Sequence, residues 1–189
     1  MNVDKQSHYV GFIGPIGSGK STACSFFKEK GYHVVSLSDI IRVYVQDNNL
    51  SDDRDTLTKY SNELKRQHGL TYFAEKTYEN VVDNQFDHVV FDSIRHPDEA
   101  NYLKQKGVFL VGIRSAQNAR FNRILQRQHG TDFVDLETFV EQDNNELTGV
   151  NQGQNVEGCY KFCDLVITNN QSLDYFMEEL NKILIALVS

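Results

Sequence analysis

Three observations predict an α/β protein of the three-layer P-loop type, with a five-stranded parallel sheet covered by helices on both faces. Five short β-branched or aromatic runs alternate with longer stretches of helical apolar spacing. The first run leads into Gly14-Pro15-Ile16-Gly17-Ser18-Gly19-Lys20-Ser21, which fits the phosphate-loop pattern G-x-x-x-x-G-K-[ST]. The runs also show almost no polar alternation, as in Val89-Val90-Phe91, and strands covered on both faces require that.

In chain order, strands are predicted over Tyr9 to Ile13, His33 to Leu37, His88 to Phe91, Phe109 to Ile113 and Leu165 to Thr168. Helices are predicted over Lys20 to Lys30, Ser38 to Gln46, Asp53 to His68, Thr71 to Asp83, Asp98 to Gln105, Ala116 to Gln128, Leu136 to Leu147, Asn155 to Phe162 and Ser172 to Leu187. No repeat or low-complexity linker interrupts the alternation, so residues 1–189 read as one domain. Two excursions exceed what a plain crossover needs. The one at about 38–83 is the expected acceptor-binding insertion, and the one at about 115–150 the expected lid.

A formal charge of −7 and an isoelectric point near 5.3 exclude non-specific binding to nucleic acid or an anionic membrane, because a polyanion needs a strongly basic face. Cys24, Cys159 and Cys163 are too few for a disulfide framework and read as reduced structural thiols. No apolar stretch is long enough to span a bilayer or serve as a signal, so a soluble, cytoplasmic chain is expected.

The phosphate loop carries the strongest chemistry. Gly14, Gly17 and Gly19 free the backbone so that amides of Pro15's neighbours Ile16, Gly17 and Ser18 can converge on phosphate oxygens, and the following helix adds its positive end. Lys20 is expected at the β- and γ-phosphates of ATP, Ser21 on Mg²⁺ and Thr22 at the α-phosphate. Asp92, at the end of the third apolar run, is the second expected Mg²⁺ residue. The next residue is Ser93, not an acid that would activate water, which favours transfer to a bound acceptor over hydrolysis.

After the second strand, Asp39 and Arg42 stand three residues apart on one helix face. Asp39 is either a catalytic carboxylate that accepts or orients the proton of the acceptor oxygen, or a helix cap in competition with Ser38; Arg42 either holds acceptor phosphate with Arg95 or is a solvated charge. Arg114, Arg120, Arg123 and Arg127 form the densest arginine run, the last three sharing a helical face. Arg123 and Arg127 are expected to stabilise the transferring phosphoryl group, and Arg120 either joins them or stacks on adenine; the alternative is a charged outer face.

Beyond these readings, the chain resembles the nucleoside monophosphate kinase branch of P-loop proteins, particularly phage-type deoxynucleoside monophosphate kinases and the dephospho-CoA kinases. The resemblance rests on Gly14 to Ser21, Ser38-Asp39-Ile40-Ile41-Arg42, Asp92-Ser93-Ile94-Arg95-His96-Pro97, Arg120-Phe121-Asn122-Arg123 and Asp164 to Asn170 followed by Ser172-Leu173. It implies ATP and Mg²⁺ as donor system and a small nucleotide-like acceptor, with a (deoxy)nucleoside monophosphate ranked first. Leu37 stands where dephospho-CoA kinases carry the first of two aspartates, which ranks that acceptor second. Glu141-Gln142-Asp143 lies where many monophosphate kinases carry another lid arginine, leaving open an ATP-sensing module that transfers nothing.

Overall fold

The computed structural model describes residues 8–127, 135–149 and 154–188, with Arg54 and Arg127 described by backbone alone. Parallel strands are arranged β2 (His33–Ser36), β3 (His88–Ile94), β1 (His8–Ile13), β4 (Phe109–Arg114) and β5 (Leu165–Thr168), so β1 and its following loop lie at the centre. That places the loop after β1 at the carboxyl end of the sheet, flanked by the ends of β3 and β4.

Alternation along β1 explains the two covered faces. Val10 and Phe12 point to a layer made by α1 (Lys20–Glu29) and α9 (Leu173–Val188), where Phe27, Phe176 and Leu180 pack. Tyr9 and Ile13 point the other way, to α2 (Leu37–Asp47), α3 (Arg54–His68), α4 (Tyr72–Asp83) and α5 (Pro97–Gln105). The expected insertion is α2 to α4, between β2 and β3. The segment expected as a lid supplies α6 (Gln117–Arg127) and α7 (Leu136–Thr148); Gln128 and the stretch between these helices lie outside the described residues. The remaining short helix α8 (Val156–Cys159) continues into a 3₁₀ turn at Tyr160–Phe162 where one helix was expected. No helix among the described residues is long and apolar enough to cross a membrane.

Two boundaries depart from expectation for physical reasons. Leu37 does not end β2; it begins α2, because Leu37, Ile41 and Val45 form an apolar stripe at helical spacing and are buried together. Strand β3 continues past Phe91 to Ile94 through two polar residues. Opposite β1 the register slips, Gly11 pairing with Phe91 but Ile13 with Ile94, so β3 carries one extra residue at Asp92-Ser93. Ser93 has φ of 63°, unusual for a residue with a side chain, and donors and acceptors of Ser36 and Ser93 meet at 2.8 Å.

Candidate active site

The phosphate loop closes through close backbone approach. A Cβ on Gly14 would lie 2.5 Å from the Ile113 carbonyl, and Gly19, at φ 114°, caps α1 with no side chain blocking the first-turn amides. Helix α1 has no acidic residue in its first turn, so its amides and positive end face an anion without competition. Ser21 is exposed and Thr22 half-buried at that end, as a ligand contact needs.

Across the mouth, Lys20 Nζ donates to the carbonyl of Gly14 and, at 3.0 Å, to that of Pro15. Burial pulls its pKa down to about 8; Arg95 acts in the same sense, while Glu146 and Asp92 oppose it. Asp92 stands on the β3 bulge, and its Oδ1 is buried with no hydrogen-bond partner. An orphaned carboxylate oxygen on Asp92 and an exposed hydroxyl on Ser21 are hard oxygen donors, and that chemistry fits Mg²⁺. Cys24 lies nearby, but burial pushes its thiol up to about 12, so it is no nucleophile here.

Arg120 and Arg123 do not lie on an outer charged face. Arg123 turns inward, donating to the Gly17 carbonyl at 3.2 Å, Ser115 Oγ at 3.0 Å and the Asn169 carbonyl at 2.8 Å. Asn169 in turn donates to the Ser18 carbonyl at 2.8 Å, so the loop after β5 and α6 brace the phosphate loop from behind. Arg120 is 3% exposed and binds Asp143 with both terminal nitrogens, while its guanidinium also reaches the carbonyls of Ser115 and Ile16. That corrects the expectation for Arg120: engaged on all sides and over the Phe139 ring, it offers no face to adenine or phosphate and instead supports the loop. Arg114 pairs with Glu157 at 2.6 Å and stacks on Tyr160, apart from the cluster. The side chain of Arg127 lies outside the described residues.

At the start of the insertion, Asp39 and Arg42 are both exposed in the first turns of α2. Ser36 takes the N-cap position, so neither Ser38 nor Asp39 is the cap. Arg95 follows the bulge on β3 and is held through its backbone: Glu99 Oε2 accepts from the amides of Arg95 and His96 at 3.1 Å each. Glu99 also pairs with Lys65 of α3 at 2.9 Å, a buried bridge tying the insertion to the Arg95 loop. The Arg95 side chain is 38% exposed and reaches Glu146 Oε1 at 3.5 Å and Gln154 at 3.4 Å.

A family model described as an AAA domain matches residues 10–146. A UPF0200 protein of Methanococcus vannielii is 35% identical over 185 residues, spanning 93% of this chain and 94% of the relative. The chain belongs to the UPF0200 family of AAA-domain proteins. Among solved structures, shikimate kinase from Acinetobacter baumannii, in complex with shikimate, superposes with a TM-score of 0.59 at 13% identity, covering 97% of this chain and 94% of that one. A gluconokinase from Sinorhizobium meliloti gives 0.53 at 13% identity, covering 94% and 93%. Such identity carries the fold alone, and the fold is that of the P-loop kinases. The relatives that share sequence are UPF0200 proteins, not specifically monophosphate or dephospho-CoA kinases.

Glu146 of this UPF0200 site escapes a reading of motifs altogether, and the motifs that contain Ser93, Asp143 and Asn169 do not reveal what these residues contact. Asn169 had a signal, since it is the first residue after the last strand, where a loop at the ligand end must pass. For the acids of α7 the usable signal is their spacing from Phe139, which puts all three on one buried face.

Proposed function

We propose that this UPF0200 protein is an ATP- and Mg²⁺-dependent phosphotransferase acting on a small nucleotide-like acceptor. The observation that carries the reading is the juxtaposition of Lys20, drawn across the loop mouth, with the unsatisfied Asp92 carboxylate on the β3 bulge. A buried ammonium held down to about 8 has lost water that phosphate oxygens would replace, so the loop favours an anion.

In this reading the amides from Ile16 to Ser21 hold the phosphates of ATP, and Thr22 completes the cradle. Ser21 and Asp92 would hold Mg²⁺, which when bound neutralises charge developing on the phosphates. Lys20 stabilises the transferring group; Arg123, and Arg127 at the end of α6, add positive charge on the lid side. Asp39, Arg42 and Arg95 face the acceptor, Arg95 taking its anionic group. Arg120 positions the loop. Among acceptors, the resemblance ranks a (deoxy)nucleoside monophosphate first. The Glu146 carboxylate beside Arg95 favours a second reading, transfer to a hydroxyl of a nucleotide-like molecule such as dephospho-CoA.

The test is a coupled assay of purified protein with ATP and Mg²⁺ against nucleoside monophosphates, nucleosides and dephospho-CoA, with calorimetry for ATP. Binding of ATP with phosphorylated product supports the proposal; binding with no product from any acceptor leaves a sensing module instead. Arg95→Ala is expected to raise the acceptor KM about tenfold or more while ATP KM moves little. An effect confined to ATP would remove Arg95 from the acceptor side.

A further inference from the structure

Glu146 has no chemical step of its own in the phosphotransferase reading, although it stands at the phosphate loop and beside Arg95. It sits on α7, 7% exposed, with Oε2 accepting from the Ile16 amide at 3.4 Å in the middle of the phosphate loop. Its other oxygen, Oε1, is buried and has no hydrogen bond, the nearest cation being Arg95 at 3.5 Å. Of the charges that favour the Lys20 ammonium, Glu146 is the strongest. The carboxylate therefore lies between the residue that reaches the terminal phosphates and the arginine that faces the acceptor.

A buried carboxylate with one oxygen unsatisfied is unfavourable unless something supplies a donor. The phosphates of ATP supply none and would repel it. An acceptor attacking through a phosphate oxygen does the same there, since a second pKa of about 6 leaves that group mostly dianionic near neutrality. A hydroxyl supplies the missing hydrogen bond, and it has a proton to lose on attack. Asp39, exposed on α2, is not enclosed in this way.

We propose that Glu146 is a further catalytic residue that takes the proton of an acceptor hydroxyl, and hence that the acceptor attacks through a hydroxyl oxygen. This rests on the phosphotransferase reading and deepens it. In the step, the acceptor O–H bond breaks and its proton passes to Glu146 Oε1. The oxygen's electron pair forms the new bond to the γ-phosphorus. The bond from that phosphorus to the β,γ-bridging oxygen breaks, its electrons leaving with ADP, and Glu146 later returns the proton to water.

The experiment compares wild type, Glu146→Gln and Glu146→Asp with Mg-ATP and three acceptor sets: nucleosides, dephospho-CoA and nucleoside monophosphates. Circular dichroism checks folding, and calorimetry gives the Kd for Mg-ATP. The expected result is product from a hydroxyl acceptor, a fall in kcat of about 10²–10⁴-fold in Glu146→Gln, and Mg-ATP bound no more weakly than by wild type. Glu146→Asp, which keeps the charge but shortens its reach, should lose less. Monophosphate turnover unaffected by Glu146→Gln would overturn the proposal. So would weakened Mg-ATP binding with kcat preserved, which would assign the carboxylate to the cation. Wild-type protein that binds ATP yet phosphorylates no acceptor also counts against it. Failure of wild type to bind ATP at all would remove the phosphotransferase reading itself, and this step with it.

Discussion

Lys20→Met is expected to lose transfer almost completely and yet to be more stable than the wild type. The loss, about 10²–10³-fold in kcat, follows from removing the ammonium that balances charge on the transferring phosphoryl group. The gain has a separate origin. Burial lowers the Lys20 pKa from its ordinary 10.5 to about 8, so in the ligand-free fold the charged form is disfavoured relative to the unfolded chain. The sign follows from proton counts. Below about pH 8 both states hold the proton and the penalty is fully present; between 8 and 10.5 the unfolded chain holds more protons, so wild-type stability rises with pH. Methionine removes the penalty but leaves the Gly14 and Pro15 carbonyls without their donor, and the half-buried side chain retains some water. The net is about 1–2 kcal/mol in favour of the variant near pH 7, or about 2–8 °C in Tm. Urea titrations at about pH 7 and pH 10 check it: the gap between the proteins should narrow at the higher pH. A variant less stable at pH 7, or one retaining turnover, would contradict the placement of Lys20.

How much of this site was legible beforehand depends on how local its physics is. The phosphate loop is wholly local: eight consecutive residues specify the turn, the cation and the helix start, and nothing distant changes that reading. Asp92 was legible as a strand-end carboxylate, but the bulge that aims it arises from pairing with β1, a chain separation no pattern reports. The inward turn of Arg120 was hidden for a related reason. Spacing puts Arg120 and Arg123 on one helical face but does not say what the face meets, and its partner Asp143 lies 23 residues on, across a separate helix.

Helix α7 shows the limit most plainly. Its buried face is Phe139, Asp143 and Glu146, so two of three core-facing positions are acids. Apolar periodicity is the signal by which a buried face is normally found, and here it is replaced by charge. Such a helix reads as solvated until the arginine and the loop amide that receive those acids are in view. Burial of carboxylates against an anion-binding loop is a local conflict, and conflicts of this kind mark functional sites.

Asp143→Ala is the second large expectation. Both partners of the Arg120–Asp143 pair are buried, Asp143 completely, and Asp143 also accepts from Gln117 at 2.9 Å. Removing the acid leaves a guanidinium without its counter-charge in the interior, which costs about 3–5 kcal/mol. The double variant Arg120→Met with Asp143→Leu should recover most of that loss, because apolar side chains of similar volume replace a pair whose attraction largely offsets its own desolvation. Stability alone would then look restored. Activity should not, because Arg120 also carries the Ile16 carbonyl, and the pair docks α7 so that Glu146 meets the Ile16 amide. Denaturant unfolding and kcat measured on the same three proteins separate the two effects. If Asp143→Ala lost less than about 1 kcal/mol, the pair would be solvated and the docking of α7 on the phosphate loop would be wrong. If the double variant recovered activity along with stability, the pair would serve packing alone, and the coupling of α7 to the phosphate loop would have to run through other contacts.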